Sequence, residues 1–292
     1  MKKALLMYNP DSGLKVYRNI PATVVSCYAE RGYDVVVHYL RFTREDAEVL
    51  AEFAAMVDHV LISGGDGTVN YVVNMIVGDG YDLPVGILPG GTANDFARAI
   101  GMPAYISRAC YRILDGTPHP IDVGRAGDVY FVNVFSMGLY TDTSHKVPTR
   151  AKNMFGGLAY YAMGVAETLE FRKMRLKVTA ENLNYEGEVL MLFVLNGQTA
   201  GGLKLGRAAS VDDGLLDVIM VKSKNFFEMA DAGFSLLTNL RTFQSTKDVS
   251  YLHCKSLTVE SAESETTDVD GQPGPSLPLN IECLEGALKV LF

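Results

Sequence analysis

A glycine-rich stretch surrounds one acidic residue, Asp66, and is the part of the sequence best suited to chemistry. The apolar run that ends at Ile62 stops at Gly64-Gly65, and an apolar-periodic segment resumes at Val69. This pattern predicts a strand, a tight loop and a helix, because glycine permits backbone conformations and close approaches that other residues resist. A loop that opens a helix directs free N–H groups and the positive end of the helix dipole to one point, which suits a phosphate. An ordinary strand-to-helix turn is the alternative interpretation.

A second loop of the same design follows at residues 88–98, which read Leu-Pro-Gly-Gly-Thr-Ala-Asn-Asp-Phe-Ala-Arg. Again a short apolar strand ends at a glycine pair and a threonine, Thr92. Two such loops on neighbouring parallel strands would bracket one crevice. Asp95 and Arg98 lie three residues apart on one helix face, so they form a local ion pair or Arg98 faces the phosphates. Both interpretations remain open.

A third polar segment follows the first predicted strand, which runs from Lys3 to Tyr8. It reads Asn9-Pro10-Asp11-Ser12-Gly13 and would lie at the carboxyl end of a parallel strand, the usual ligand edge of an open α/β sheet. A plain turn is the alternative. Further on, Thr43 is predicted to N-cap a helix, with Asp46 in the acidic position of a capping box.

The distribution of these elements predicts two domains and the fold class α/β plus β. Strands alternate with helices over residues 1–122, which predicts a doubly wound domain with a parallel sheet that binds the nucleotide. Over residues 123–292, short apolar runs separated by turn residues predict an antiparallel β-sandwich domain. Two helical segments, near residues 158–170 and 226–240, interrupt that pattern.

The composition excludes several classes of protein. The chain has 292 residues, 48% of them hydrophobic, and a net charge of −8, which argues against nucleic acid as the main partner. Its four cysteines lie far apart without a CxxC pair, which favours the reduced thiols of a cytosolic protein. No apolar stretch reaches membrane-spanning length and the first apolar run is too short for a signal peptide. We therefore expect a cytoplasmic protein that can meet a membrane only from its side.

The paired loops resemble a known family. The sequence lacks GxxxxGK[ST], and Asn70 stands where GxGxxG requires its third glycine, so neither common phosphate loop is present. The stretch Gly64-Gly65-Asp66-Gly67-Thr68, paired with the loop at residues 88–98, resembles the catalytic domain of diacylglycerol kinases. The similarity is greatest to the soluble bacterial lipid kinases of that family; sphingosine and ceramide kinases are more distant. It continues through Asn196-Gly197, residues 208–217 and residues 270–274.

The resemblance implies phosphorylation of a lipid hydroxyl, with ATP and Mg²⁺ as cofactors. Catalysis of phosphoryl transfer is mostly positioning and charge stabilisation. Because like charges repel, Asp66 is better suited to bind Mg²⁺ or to orient the acceptor hydroxyl than to hold a phosphate. The residues that the resemblance implies as ATP contacts are Asn9, Pro10, Asp11, Ser12, Gly13, Thr43, Gly64, Gly65, Asp66, Gly67, Thr68, Val69, Asn70 and Thr92.

A metal site in the β domain is also implied. Ser210, Asp213 and Leu215 match positions that bind a structural Mg²⁺ in the family, partly through backbone carbonyls. From the residues alone, the Asp212-Asp213-Gly214 segment reads as a hairpin turn.

Gln272 is the main departure from the family pattern, which has a glutamate regarded as the proton acceptor at this position. A glutamine amide cannot accept a proton at neutral pH. Asp66 is then the base, or Asp270 takes that role, or the chain has little or no activity. Tyr71 is a smaller departure, since an acidic residue often follows the asparagine of the first glycine loop.

We therefore expect an ATP-dependent lipid kinase acting on diacylglycerol or a related lipid. The alternatives are a nucleotide- or lipid-binding protein with little turnover and a kinase of a soluble acceptor. The basic and aromatic segment over residues 146–177 can rest on an anionic membrane surface, or form a core helix flanked by solvated charges. We expect peripheral contact with the inner face of the membrane and no nucleic-acid partner, and leave a homodimer open.

Overall fold

The computed structural model describes residues 2–13, 19–138, 173–197, 199–200, 203–204, 210–222 and 249–292. The chain divides into a first unit, Met1–Ile121 with Gly286–Phe292, and a second unit, Asp122–Glu285. The predicted boundary after residue 122 falls one residue from the observed division. The chain end differs from the prediction, because residues 286–292 belong to the first unit.

The first unit is built on a parallel sheet. Its strand order is β2-β1-β3-β4, and all three pairings are parallel. Its elements are β1 (Lys2–Tyr8), α1 (Ile20–Ala29), β2 (Tyr33–Tyr39), α2 (Arg44–Phe53), β3 (His59–Gly64), α3 (Asp66–Gly78), β4 (Val85–Pro89), α4 (Asp95–Ala99) and α5 (Ile106–Asp115).

The two inner strands explain why the sequence forms this sheet. Every residue of β3 and of β4 is buried, as expected for central parallel strands covered on both faces. The edge strand β2 is only partly buried. The last residues of the chain join this unit because Val290 pairs in parallel with Val85 of β4.

The second unit is antiparallel. One sheet has the order β14-β13-β10-β7-β16-β17, and another set of antiparallel pairings joins β18, β15, β8 and β9. The remaining elements of the chain are β5 (Pro118–Ala126), β6 (Val129–Phe131), β7 (Val134–Met137), β8 (Met174–Ala180), β9 (Leu183–Val189), β10 (Met191–Leu195), β11 (Thr199–Ala200), β12 (Leu203–Lys204), β13 (Leu216–Val221), β14 (Val249–Cys254), β15 (Ser256–Ser261), β16 (Thr267–Val269), β17 (Gln272–Pro273) and β18 (Leu279–Leu291).

Apolar side chains from both sets of strands form one buried core in the second unit. Phe135 and Leu192 of the first sheet belong to the same buried cluster as Leu176, Leu257 and Ile281 of the other strands. This arrangement is that of a β-sandwich and confirms the predicted class, α/β plus β.

The second half of the chain differs from the predicted short runs in one respect: its last strand, β18, is 13 residues long. The helices predicted near residues 158–170 and 226–240 lie outside the described residues. None of the helices within the described ranges is long and apolar enough to cross a bilayer.

Candidate active site

Three loops of the first unit follow the carboxyl ends of β1, β3 and β4. From β1 the chain crosses to the edge strand β2, and it then returns to form β3 and β4 on the other side. The connection after β1 therefore leads toward one edge of the sheet, and the connection after β3 leads toward the other edge. In open α/β sheets, ligands bind in the crevice at such a point.

The first loop is tied to the other two by hydrogen bonds. The Asn9 amide donates from Nδ2 to Thr68 Oγ1 at 2.8 Å, and its backbone N–H donates to the Ser63 carbonyl at 2.9 Å. The Ser12 hydroxyl lies 3.0 Å from the Asn9 carbonyl oxygen and 3.4 Å from the Gly90 carbonyl oxygen. The three predicted nucleotide loops are thus brought together in one unit.

The glycines of these loops are needed because the backbones touch. A Cβ atom on Gly13, whose φ is +74°, would lie 2.3 Å from the Gly90 carbonyl oxygen. A Cβ atom on Gly91 would lie 2.3 Å from the Cα atom of Gly65. Neither contact is possible for a real side chain. The crevice is therefore lined by bare backbone, which a phosphate can approach closely.

The first glycine loop passes directly into α3, which starts at Asp66, three residues earlier than the predicted Val69. The N–H groups of Thr68 and Val69 donate to the Gly65 carbonyl at 2.9 and 3.0 Å. Val69 and Asn70, predicted as loop contacts, therefore lie inside the helix, where both are buried. The part of α3 before Thr68 and the positive end of the helix dipole remain at the crevice.

Asp66 connects the two glycine loops. Its carboxylate accepts the N–H of Phe96 from α4 at 3.2 Å. Burial raises the pKa of Asp66, and backbone N–H groups from the start of α4 oppose that shift without cancelling it. Asp66 is thus a half-buried carboxylate whose pKa is above that of an ordinary aspartate.

The second loop is closed by its own asparagine. Asn94 accepts the N–H of Gly91 and donates to the Gly91 carbonyl, both at 2.8 Å, and adopts a left-handed conformation with φ of +52°. Thr92 is exposed beside it, Asp95 is buried and Arg98 is exposed. The structure forms no ion pair between Asp95 and Arg98, two residues that it describes fully. That Arg98 faces the phosphates stays a prediction.

Thr43 caps α2 as predicted, and a larger network surrounds the cap. The Thr43 N–H donates to Asp46 at 3.0 Å, and His38 Nε2 and the Tyr71 hydroxyl also contact the Asp46 carboxylate, at 2.7 and 3.0 Å. Burial alone would raise the pKa of Asp46, but hydrogen bonds, that from His38 foremost, outweigh burial and lower it. The sequence signalled the Thr43–Asp46 pair, whereas His38 and Tyr71 join from other elements and carried no local signal.

In the second unit, the Asp270 carboxylate accepts three backbone hydrogen bonds. Its carboxylate accepts the backbone N–H groups of Val132, Asn133 and Val134 at 2.9, 3.1 and 2.7 Å. These bonds hold the connection between β6 and β7 in place. Gln272 is exposed on the short strand β17, two residues beyond Asp270.

The predicted metal residues lie on one turn of the second unit. Leu215 donates its N–H to Asp213 Oδ1 at 3.1 Å, and the Ser210 hydroxyl donates to Asp212. Among the described residues, no group of three His, Cys, Asp or Glu side chains is arranged to hold a metal. The metal site implied by the resemblance stays a prediction.

Two buried residues that sequence reasoning had not assigned hold this turn in place. Asp122 accepts the N–H of Gly214 at 2.6 Å, and Asn196 donates from Nδ2 to the Asp122 carbonyl at 2.7 Å. The Oδ1 atom of Asn196 is buried and has no hydrogen-bond partner within the described part of the chain. Hard oxygen donors of this kind fit Mg²⁺ chemistry.

Two family models match the chain. Residues 3–126 match the family described as "Diacylglycerol kinase catalytic domain", and residues 134–292 match the "YegS C-terminal NAD kinase beta sandwich-like domain". The chain belongs to the bacterial diacylglycerol kinase family. The glycine loops of this diacylglycerol kinase family member lie within the first match, and Asp270 and Gln272 lie within the second.

Individual relatives agree with that assignment. The chain is 30% identical to a diacylglycerol kinase of Bacillus subtilis over 95% of this chain and 92% of the relative. It is 32% identical to one of Staphylococcus haemolyticus over 99% and 88%. The crystal structure of a diacylglycerol kinase from Bacillus anthracis aligns over 100% of this chain and 97% of that one, at 28% identity and a TM-score of 0.85. Membership of the family predicted from the paired loops is therefore confirmed.

Proposed function

We propose that the protein is an ATP-dependent lipid kinase that transfers the γ-phosphate of ATP to the hydroxyl of diacylglycerol or a related lipid. The observation that carries this proposal is the packing of two glycine loops around a single carboxylate at the start of α3. Relatives named diacylglycerol kinase, aligned over nearly the whole chain, support the choice of a lipid acceptor.

ATP is proposed to bind along the carboxyl edge of the parallel sheet. The first-turn N–H groups of α3 and the bare backbone at Gly90 and Gly91 are suited to the phosphates, because glycine packing leaves no side chain between them and the ligand. The Asn9 to Gly13 loop, Thr43 and Thr92 supply further polar groups around it. Arg98, exposed at the end of the second loop, is suited to the phosphate charge.

Mg²⁺ would be held by oxygen donors, with Asp66 the suitable carboxylate at the crevice. Bound there, the ion supplies neutralisation of the charge that develops on the transferring phosphoryl group. The turn with Ser210, Asp213 and Leu215 is the proposed structural Mg²⁺ site.

Asp66 is also the proposed acceptor for the hydroxyl proton. As the lipid oxygen forms its bond to the γ-phosphorus and the bond to the bridging oxygen of ATP breaks, the proton passes to the Asp66 carboxylate and ADP leaves. Asp270 is proposed to be structural, because three N–H donors engage its carboxylate, and the Gln272 amide accepts no proton.

The β unit is proposed to receive the lipid at a membrane surface. Most of the basic segment at residues 146–177 lies outside the described residues. Of its described members, Lys173 pairs with Glu188 at 2.5 Å and Lys177 pairs with Glu260 at 2.7 Å. The proposed contact with a membrane rests on the lipid substrate class.

Transfer of label from γ-³²P-ATP to lipids in mixed micelles with Mg²⁺ tests the proposal. We expect labelled product with at least one of diacylglycerol, monoacylglycerol, ceramide and sphingosine. Absence of product with all four, from protein that is folded and binds ATP, would contradict it. That result would favour the second candidate, a nucleotide-binding protein without turnover, for which the exposed Gln272 at the position of the family base is the motivating observation.

A further inference from the structure

The segment that follows β2 lies alongside the first nucleotide loop. The Leu40 N–H donates to the Tyr8 carbonyl at 2.8 Å, so the chain continues beside β1 up to the point where Asn9 begins the loop. Tyr39 packs edge-on against Tyr8, with ring centroids 5.6 Å apart.

Phe42 in this segment has an unusual backbone and an exposed ring. Its φ is +57°, a left-handed conformation that bulky residues rarely adopt, and the residue is 49% exposed. Neither the positive φ nor the exposed ring of Phe42 stabilises the fold. Glycine would adopt this φ without strain, and a polar side chain would be better solvated. Backbone strain of this kind is concentrated at functional sites.

The ring of Tyr71 packs against the ring of Phe42. The ring centroids of Phe42 and Tyr71 are 4.9 Å apart, and the Tyr71 hydroxyl lies 3.1 Å from the Thr43 carbonyl oxygen and 3.0 Å from Asp46 Oδ2. Tyr71 is five residues along α3 from Asp66, which at 1.5 Å per residue is roughly 7 Å from the start of that helix. One face of Phe42 thus packs against Tyr71 of α3, and about half of the residue is exposed.

We propose that Phe42, three residues beyond Tyr39 in the same segment, is the stacking platform for the purine base of the nucleotide. This inference rests on the proposed ATP site: the glycine loops would bind the phosphates of ATP, and Phe42 would bind its base. A flat, preorganised aromatic face within a nucleotide's length of a phosphate loop fits a purine, because stacking on an aromatic ring is favourable for any base. Tyr39, 53% exposed, adds a second aromatic side chain at the same edge.

Calorimetric titration of ATP and of inorganic tripolyphosphate, each with Mg²⁺, tests the platform. We expect Phe42→Ala to weaken ATP binding by about fivefold or more, the lower end of the alanine-substitution range for base stacking, and to leave tripolyphosphate binding unchanged. Tyr105→Ala is the matched control, since Tyr105 is 64% exposed at the start of α5. If the wild type binds no ATP, the proposed function fails; if it binds ATP and Phe42→Ala binds it equally well, the platform alone fails.

A glycine variant separates stacking from strain. Phe42→Gly removes the ring as alanine does but tolerates a positive φ, so it should melt at a higher temperature than Phe42→Ala. We expect both variants to lose ATP affinity equally. Recovery of ATP affinity in Phe42→Gly would show that the ring acts only through the backbone and would overturn the proposal.

A tryptophan variant reports on the ring directly. The chain contains no tryptophan, so Phe42→Trp introduces a single fluorophore. We expect ATP to quench its emission and tripolyphosphate to leave it unchanged. Emission that responds to diacylglycerol micelles and not to ATP would assign the surface to lipid and contradict the proposal.

Discussion

Two Asp-Gly pairs, Asp66-Gly67 and Asp270-Gly271, have similar local sequences and opposite environments. Asp66 at the crevice of the first unit accepts an N–H from Phe96, yet burial leaves its pKa raised. Asp270 in the second unit accepts three backbone N–H groups and adopts a left-handed conformation with φ of +49°. Burial dominates the environment of Asp66, whereas three backbone hydrogen bonds hold Asp270 in place, so a similar local sequence does not give the two carboxylates the same environment.

Asp66→Asn is expected to produce the largest effect. The amide cannot take the hydroxyl proton or bind a divalent cation well, so kcat should fall by about 10²–10⁴-fold, the range of a lost general base. The asparagine oxygen can still accept the Phe96 N–H, so the loops should keep their packing. Steady-state kinetics together with ATP calorimetry measures both properties, and a variant with more than a tenth of wild-type kcat would remove Asp66 from the mechanism.

Asp270→Asn is expected to affect stability instead. An NH₂ group would then face backbone N–H donors now bound by a carboxylate oxygen, which costs roughly 1–3 kcal/mol in the free energy of unfolding. Urea denaturation measures this loss. An unchanged unfolding midpoint would mean that the three hydrogen bonds of Asp270 do not fix the β6–β7 connection.

Gln272→Glu tests whether a carboxylate at position 272 can take the role of base that we assign to Asp66. Because Gln272 is exposed, the free energy of unfolding should change by less than about 0.5 kcal/mol. With Asp66 as the proton acceptor, kcat should change measurably but by less than the roughly 10²-fold that a general base supplies. A larger rise in kcat would transfer the role of base to position 272.

The smallest expected effect is a pH dependence of stability at Asp66. A raised pKa in the folded state means that its contribution is fully present below the unfolded value of about 3.9 and is lost as pH rises through the folded value. Asp66→Asn should therefore melt at the same temperature as the wild type near pH 3 and at a higher temperature at pH 7. Thermal melts of both proteins across this range check the sign, and the reverse order at pH 7 would contradict the assigned environment.

Local patterns predicted the parts of the site that are local in sequence. Glycine pairs after apolar strands predicted the two loops, and the spacing of Thr43 and Asp46 predicted the capping box. The contacts that define the roles join distant segments: Tyr71 reaches Asp46, and Asp270 reaches the β6–β7 connection. No local periodicity records such contacts.

In the fold, too, local patterns predicted single elements but not the contacts between distant segments. Buried runs predicted β3 and β4, because central parallel strands are apolar throughout. The return of residues 286–292 to the first unit depends on the pairing of Val290 with Val85, more than two hundred residues apart in sequence. A hydrophobic pattern indicates that such a strand exists but not which neighbour it pairs with.

The most direct test compares the same substitution at the two aspartates. Phosphoryl transfer to the preferred lipid is measured for Asp66→Asn and Asp270→Asn at a temperature where both are folded and bind ATP. The expected result is a kcat at least about 10²-fold lower in Asp66→Asn than in Asp270→Asn, whose kcat stays close to the wild-type value. Equal loss of kcat in the two folded variants would contradict the assignment of catalysis to Asp66 and of structure to Asp270.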